Sequence, residues 1–229
     1  MMNKSTALII AIDGPSGVGK GTLCQFVARH LKFHYLDSGA LYRIVGLAAY
    51  QANIELNNAQ KVTNLANTLD IRFTLPETGD TQVYLNHENV TDLIRTEEAG
   101  GRASQVALHT GVRDALLELQ RNKAQVPGLV ADGRDMGTEV FPHAACKIFL
   151  TASAEERADR RYNQLKAKGN SVSLPRLLED IKQRDERDAN RSASPLRPAE
   201  DAQVIDTTHL TIQEVEQVVI TLLTAKGIT

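Results

Sequence analysis

Nine residues, Gly14-Pro15-Ser16-Gly17-Val18-Gly19-Lys20-Gly21-Thr22, follow directly on an apolar run over residues 7–12. The order predicts a buried strand, a tight loop and then a helix over residues 21–31. Glycines 14, 17 and 19 can take backbone conformations closed to other residues, so that several N–H groups turn into one concavity. The helix behind them aims the positive end of its dipole at the same point, and Lys20 adds a full charge. A loop with these parts holds the β- and γ-phosphates of a nucleoside triphosphate. The residue after Lys20 is Gly21 rather than Ser or Thr, and the hydroxyl comes one place later, at Thr22.

The chain has 229 residues, enough for one α/β domain with insertions or for two small domains, and its 42% apolar content suffices for a core. A formal net charge of −2 means that the surface as a whole does not advertise nucleic-acid or membrane binding. Arginine is nevertheless concentrated in the second half, at Arg157, Arg160, Arg161, Arg184, Arg187, Arg191 and Arg197. That concentration points to a local polyanion site; the plainer alternative is a solvated helix face with i,i+4 ion pairs. Cys24 and Cys146 are too few and too isolated for a disulfide framework or a zinc site, and are expected as packed thiols. The first apolar run is too short for a signal peptide, and no stretch has the length of a membrane span. A reducing cytoplasm is the expected compartment.

Five short apolar segments, over residues 7–12, 34–36, 128–131, 147–150 and 203–205, read as core strands. Helical patterns at 21–31, 40–52, 155–168, 174–189 and 212–225 lie between and after them. This alternation predicts an α/β fold with a five-stranded parallel sheet covered on both faces. Ligands in such sheets bind beyond the carboxyl ends of the strands. Polar residues stand there: Asp13, Asp37-Ser38-Gly39, Asp132-Gly133-Arg134-Asp135 and Asp206-Thr207-Thr208. Residues 70–95 break the pattern. Two period-two runs, 71–75 and 81–85, are separated by turn residues, and Val90 begins a possible third strand. Too small to fold alone, this meander is expected to rest on the main domain together with helical segments near 58–69 and 96–124. The expected organisation is a core of residues 1–57 and 125–229, a lid at about 154–172, and an insertion over 58–124. Mobile loops are expected at 169–173 and 192–198.

Several further motifs follow the phosphate loop in order. They are Leu36-Asp37-Ser38-Gly39-Ala40-Leu41-Tyr42-Arg43, then Ala103-Ser104-Gln105-Val106-Ala107 with Val112-Arg113. Ala131-Asp132-Gly133-Arg134-Asp135-Met136-Gly137-Thr138 and Val140-Phe141-Pro142 come next, and Arg184-Asp185-Glu186-Arg187-Asp188-Ala189-Asn190-Arg191 closes the set. The Gly-Lys-Gly-Thr variant already resembles nucleoside monophosphate kinases more than GTPases or motor ATPases. The whole set resembles the bacterial cytidylate kinases, over essentially the full chain and including the meander.

That resemblance implies a P-loop kinase with ATP·Mg²⁺ at Gly14, Pro15, Ser16, Gly17, Val18, Gly19, Lys20, Gly21 and Thr22. It implies phosphorylation of CMP and dCMP to CDP and dCDP. Arg43, Arg134 and Arg191 would clamp the acceptor phosphate, with Ser38 and Tyr42 beside them. Ser104, Arg113 and Asp135 would read the cytosine, and Arg184 and Asp188 the ribose. Lys20, Arg134, Arg191 and the lid arginines Arg157 and Arg161 would stabilise the transferring phosphoryl group. Mg²⁺ would be held by phosphates, waters and Thr22, with Asp132 or Asp37 further out. The chain is expected to work as a monomer, with neither nucleic acid nor membrane as partner.

The chemistry of the residues fits independently. Bringing one phosphate against another requires cations on both sides of the transfer path, and arginine's planar fork suits phosphate. The acceptor is already an anion, so no strong general base is needed. Read without the resemblance, Arg184 and Asp188 are equally a surface i,i+4 pair. A P-loop NTPase module would want Ser or Thr after Lys20. An RNA-binding protein would want aromatic stacking motifs. A kinase for another small acceptor, such as UMP, is the nearest rival.

Overall fold

The computed structural model describes residues 7–79, 81–167, 169 and 171–229. In chain order the elements are β1 (Leu8–Asp13), α1 (Lys20–Leu31), β2 (His34–Asp37), α2 (Ser38–Gln51), α3 (Ala59–Ala66), β3 (Ile71–Thr74), β4 (Gln82–Leu85) and β5 (Glu88–Asn89). After a 3-10 turn at Leu93–Arg95 come α4 (Glu97–Val106), α5 (Thr110–Arg121) and β6 (Gly128–Gly133). A π-helical turn over Met136–Val140 leads to β7 (Cys146–Thr151), α6 (Ala154–Ala167), α7 (Leu174–Asn190), β8 (Gln203–Asp206) and α8 (Ile212–Ala225).

Five strands form one parallel sheet in the order β2-β6-β1-β7-β8. β1 and β6, at its centre, are near-continuous apolar runs because both of their faces are covered. Each expected core strand is present, shifted by at most a residue or two. Two apolar cores lie on the two faces. One gathers Ile10, Ile12, Leu23, Val27, Ile148, Leu150 and Val219 between the sheet and α1 and α8. The other joins Ala11, Leu36, Leu41, Ile44, Leu129 and Met136 to Val62, Ile71, Val83, Val106 and Leu116 of the 58–124 segment. One apolar cluster therefore joins the sheet to the 58–124 segment.

The meander is the antiparallel sheet β3-β4-β5. Its third strand is Glu88–Asn89 rather than a strand starting at Val90. The buried Val90 instead sends its N–H back to the Val83 carbonyl, closing the turn. The tip of the β3–β4 turn meets the core helix α1, where Arg29 donates to the carbonyls of Pro76 and Gly79. Within residues 192–198 the Leu196 N–H donates to Asp188 O at 2.8 Å, and Arg191 Nε donates to Ser194 O. Lys168 and Asn170, which belong to the expected lid helix and loop, lie outside the described residues. Helix α8 starts with a reciprocal cap between Thr211 and Glu214. Among the described residues, no helix is long and apolar enough to cross a membrane. Both cysteines are buried and unpaired with each other.

Candidate active site

The loop after β1 is shaped by close approach. A Cβ on Gly14, whose φ is +147°, would lie 2.2 Å from the Leu150 carbonyl oxygen of β7. Only glycine lets the chain leave the sheet there. Gly17 and Gly19 also have positive φ, and Gly19 is the left-handed residue from which α1 springs. Lys20 opens that helix and is nearly buried. Its Nζ donates to Pro15 O at 2.8 Å and stands 4.0 Å from the Asp132 carboxylate at the end of β6. Burial, with the Arg134 charge behind it, pushes the Lys20 ammonium down. Burial also pushes the Asp132 carboxyl up. An anion in the loop offsets the Lys20 cost by supplying the ammonium with a charged partner.

A cavity of about 950 Å³ opens from this loop. Its wall runs from Ser16–Thr22 past Asp37 and Asp132 to Arg43, Arg134 and Arg184, and on to Arg160 and Arg161 of α6. Asp37 caps α2, accepting the Ala40 N–H at 2.9 Å, and so fixes the turn that carries Ser38, Tyr42 and Arg43. Arg43 donates to Ile94 O at 2.7 Å and to Thr96 O at 3.1 Å. It lies with Arg184 over Gly100 of α4, where a Cβ would come within 3.2 Å of Arg184 Nη1 and 3.3 Å of Arg43 Nη2. Arg134 donates from Nε to Asp188 at 2.9 Å, and that carboxylate is held below its ordinary range by the Arg134 and Arg184 charges despite its burial. The Arg184 guanidinium is pushed down to about 9, first by burial and then by its neighbour Arg134. Positive charge in this corner exceeds what its carboxylates neutralise.

Behind the wall sits a second layer. Arg113 of α5 pairs with the buried Asp135, and Arg191 Nη2 stands 3.8 Å from the same carboxylate. The Arg113 guanidinium lies 5.9 Å from the Tyr42 ring centroid. Ser104 accepts from Arg187 Nε at 3.3 Å. Three donors in this neighbourhood, Arg113 Nη1, Arg184 Nε and Arg191 Nη2, are buried without a hydrogen-bond partner among the described residues. Buried orphan donors on arginines are expensive, and an anion or a base edge is the chemistry that would satisfy them.

The expected site residues thus fall into three groups. Ser16–Thr22, Arg43, Arg134, Arg161, Arg184 and Asp132 line the cavity, whereas Gly14 and Pro15 lead into the loop from β1 without reaching the wall. Ser38, Tyr42, Ser104, Arg113, Asp135, Asp188 and Arg191 stand close behind it rather than on its wall. Arg157 departs from its expected role. It is 4% exposed and donates to Ala152 O, Ser153 O and Ser16 O, and it pairs with Asp185 of α7. Its fork is consumed in bolting α6 and α7 to the phosphate loop, and Arg160 and Arg161 are the α6 cations that reach the cavity. Arg161 meets Glu97 at the start of α4. Sequence reasoning missed Asp185 and Glu97 as partners, because no spacing rule links residues on separate elements. It placed Asp13 at the carboxyl end of the first strand but gave it no partner, because the Met136 and Gly137 N–H groups that it accepts lie on a distant element.

Thr22, Asp37 and Asp132 offer hard oxygen donors beside the phosphate loop. Among the described residues no group of three or more His, Cys, Asp or Glu is arranged as a metal cage. This donor set suits a magnesium ion carried in by phosphates, which needs only one or two protein oxygens.

The family model described as Cytidylate kinase matches residues 10–225. The chain belongs to the cytidylate kinase family. Within that family, the cytidylate kinase of Colwellia psychrerythraea is 55% identical over 93% of this chain and 94% of its own length. That of Shewanella denitrificans is 56% identical over 90% and 92%. A crystal structure of an uncharacterized protein from Eubacterium ventriosum, 11% identical, superposes with a TM-score of 0.51 over 95% of this chain and 98% of that one, which bears on the fold alone.

Proposed function

We propose that this protein transfers the γ-phosphoryl group of ATP to CMP and dCMP, releasing ADP with CDP or dCDP. The observation that carries this reading is the placement of Lys20 and a three-arginine corner, Arg43, Arg134 and Arg184, on the wall of one cavity, with the Arg113–Asp135 pair close behind. Lys20 and the loop N–H groups hold the triphosphate. The arginine corner takes the acceptor phosphate and brings it in line with the γ-phosphorus. Arg160 and Arg161 approach from α6, and Arg157 keeps that helix in register with the loop. Charge spread over the equatorial oxygens meets fixed cations rather than reorganising water. Thr22 and Asp132 would hold Mg²⁺, which would supply positive charge to offset that of the phosphates.

Residues 58–124 act as the acceptor-binding insertion in this reading. Asp135 accepts a hydrogen bond from the cytosine amino group, and Arg113 and Ser104 donate to N3 and O2. Uracil presents a carbonyl where cytosine has the amino group, so the Asp135 carboxylate would repel it. Asp188 takes the ribose hydroxyls, and Arg191 supports both base and phosphate. The chain is proposed to act as a monomer, a state that sedimentation of the purified protein would test. Two buried free thiols and a near-neutral charge support a cytoplasmic protein acting on small nucleotides.

A coupled assay of ADP release across the common nucleoside monophosphates tests the reading. CMP and dCMP should turn over fastest. A preference for UMP would move the acceptor assignment, and ADP release independent of any acceptor would replace the kinase by an NTPase.

A further inference from the structure

We propose that Asp13 is a positioning residue that sets the base-reading pocket relative to the phosphate loop. It does so by holding the turn that follows Asp135. Asp13 is the last residue of β1, immediately before Gly14, and its Cα is in register with Gly133 of β6 and Phe149 of β7. Its side chain is buried and is not on the cavity wall. One carboxylate oxygen accepts the Met136 N–H and the other the Gly137 N–H, each at 2.8 Å. Those N–H groups open the π-helical turn Met136–Val140 directly after Asp135. The turn is gripped elsewhere too. Arg121 of α5 donates to Glu139 O and Val140 O at 3.1 Å, and the Lys147 stem passes Gly137 on its way to Asp201. Asp13 ties this turn to the strand that runs straight into the phosphate loop, so the distance from Asp135 to the triphosphate depends on it.

The charged and titratable groups facing Asp13 are Lys20 and Cys24 from α1, Asp132, Arg134 and Asp135 from β6 and its turn, and Lys147 from β7 along its aliphatic stem. The carboxyl is raised to about 6, first by burial and in part by Asp135, while the two backbone donors pull it the other way. At neutral pH it is therefore the ionised, two-oxygen acceptor that the geometry requires. An amide at this position can accept only one of the two N–H groups and turns its own N–H₂ against the other.

The inference rests on the reading of Asp135 as the cytosine acceptor, and the test separates the two. In the full-length protein, Asp13→Asn should lower the CMP/UMP ratio of kcat/KM by about 5-fold to 10-fold, the scale of one mis-set charged hydrogen bond. The KM for CMP should rise while the KM for ATP stays within about twofold. A merely structural loss would lower the folded fraction and all rates together, leaving the ratio and both KM values alone. Gly137→Ala serves as a second variant, because its Cβ would crowd the Lys147 stem at 3.2–3.3 Å while touching Asp13 Oδ2 at van der Waals distance, 3.4 Å, so that seating it shifts the turn on the Asp13 carboxylate. It should shift the ratio in the same direction, and it carries the test if Asp13→Asn does not fold. Asp135→Ala is the reference. If Asp135→Ala changes the ratio but the variants at 13 and 137 do not, the Asp13 inference is overturned. If Asp135→Ala leaves the ratio untouched, the base-site reading falls and the inference falls with it.

Discussion

The two halves of the cavity are built by different means. The phosphate-loop half is made of backbone: consecutive N–H groups, a helix N-terminus and one lysine, all from nine adjacent residues. The acceptor half is made of side chains drawn from separate elements. Arg43 comes from α2, Arg113 from α5, Arg134 and Asp135 from the end of β6, and Arg184 and Asp188 from α7. A backbone site is rigid, and few changes short of removing a glycine or Lys20 disturb it. A side-chain site is as good as the packing behind each arginine, so it is tunable and sensitive at a distance.

Lys20→Met should produce the largest effect and the one most confined to a single half. Turnover should fall at least about 10²-fold, the scale for losing one preorganised electrostatic contact, with unfolding little changed. A folded variant keeping more than a tenth of wild-type turnover in the coupled assay would break the contrast. Asp135→Ala probes the other half. The CMP/UMP ratio of kcat/KM should fall about 10-fold, since the lost acceptor faces a group that only cytosine carries. Equal losses for both acceptors would make Asp135 structural.

The link between the halves has its own signature. Asp13 binds its proton more tightly in the folded state, where its carboxyl is raised to about 6, than in the unfolded chain at 3.8. The stability cost of its burial is therefore fully present above pH 6 and is relieved as pH falls toward 3.8. Between pH 7 and pH 5 the wild type should gain about 1 kcal/mol relative to Asp13→Asn in urea unfolding. A difference that is flat with pH would mean that the carboxylate is not strained by burial. The smallest effect belongs to Glu97→Gln. The Arg161–Glu97 pair is partly exposed, so unfolding should shift by less than about 0.5 kcal/mol. A larger shift would make that pair a structural bridge between α6 and α4.

The same contrast decides what the sequence made legible. The sheet, its alternation with helices and the phosphate loop were readable, because each depends on residues adjacent in the chain. The acceptor half showed itself only as a concentration of arginine and a polar strand end, and the role of each residue came through resemblance. No local rule brings Arg113 to Asp135 or Arg134 to Asp188, since those contacts exist only after α5 and α7 have packed. Arg157 shows the cost: its place on an arginine-rich helix suggested a phosphate, whereas the fold sends its fork to Asp185 and three carbonyls. The π-helical turn left no periodic trace either, being a single turn fixed by a distant carboxylate.

The strand order carries a consequence for how the molecule is made. β1 lies at the centre of the sheet, yet its neighbours are β6 and β7, with Leu8 opposite Gly128 and Ile10 opposite Cys146. A nascent chain leaving the ribosome presents Ile9, Ile10, Ala11 and Ile12 early and has nothing to pair them with until residue 128 has been made. Throughout that interval the segment that will form the innermost strand is an unpaired, uncharged edge open to other chains. The fold makes its nucleotide loop long before the strands that flank it, and the waiting strand is where a chaperone would have most to protect.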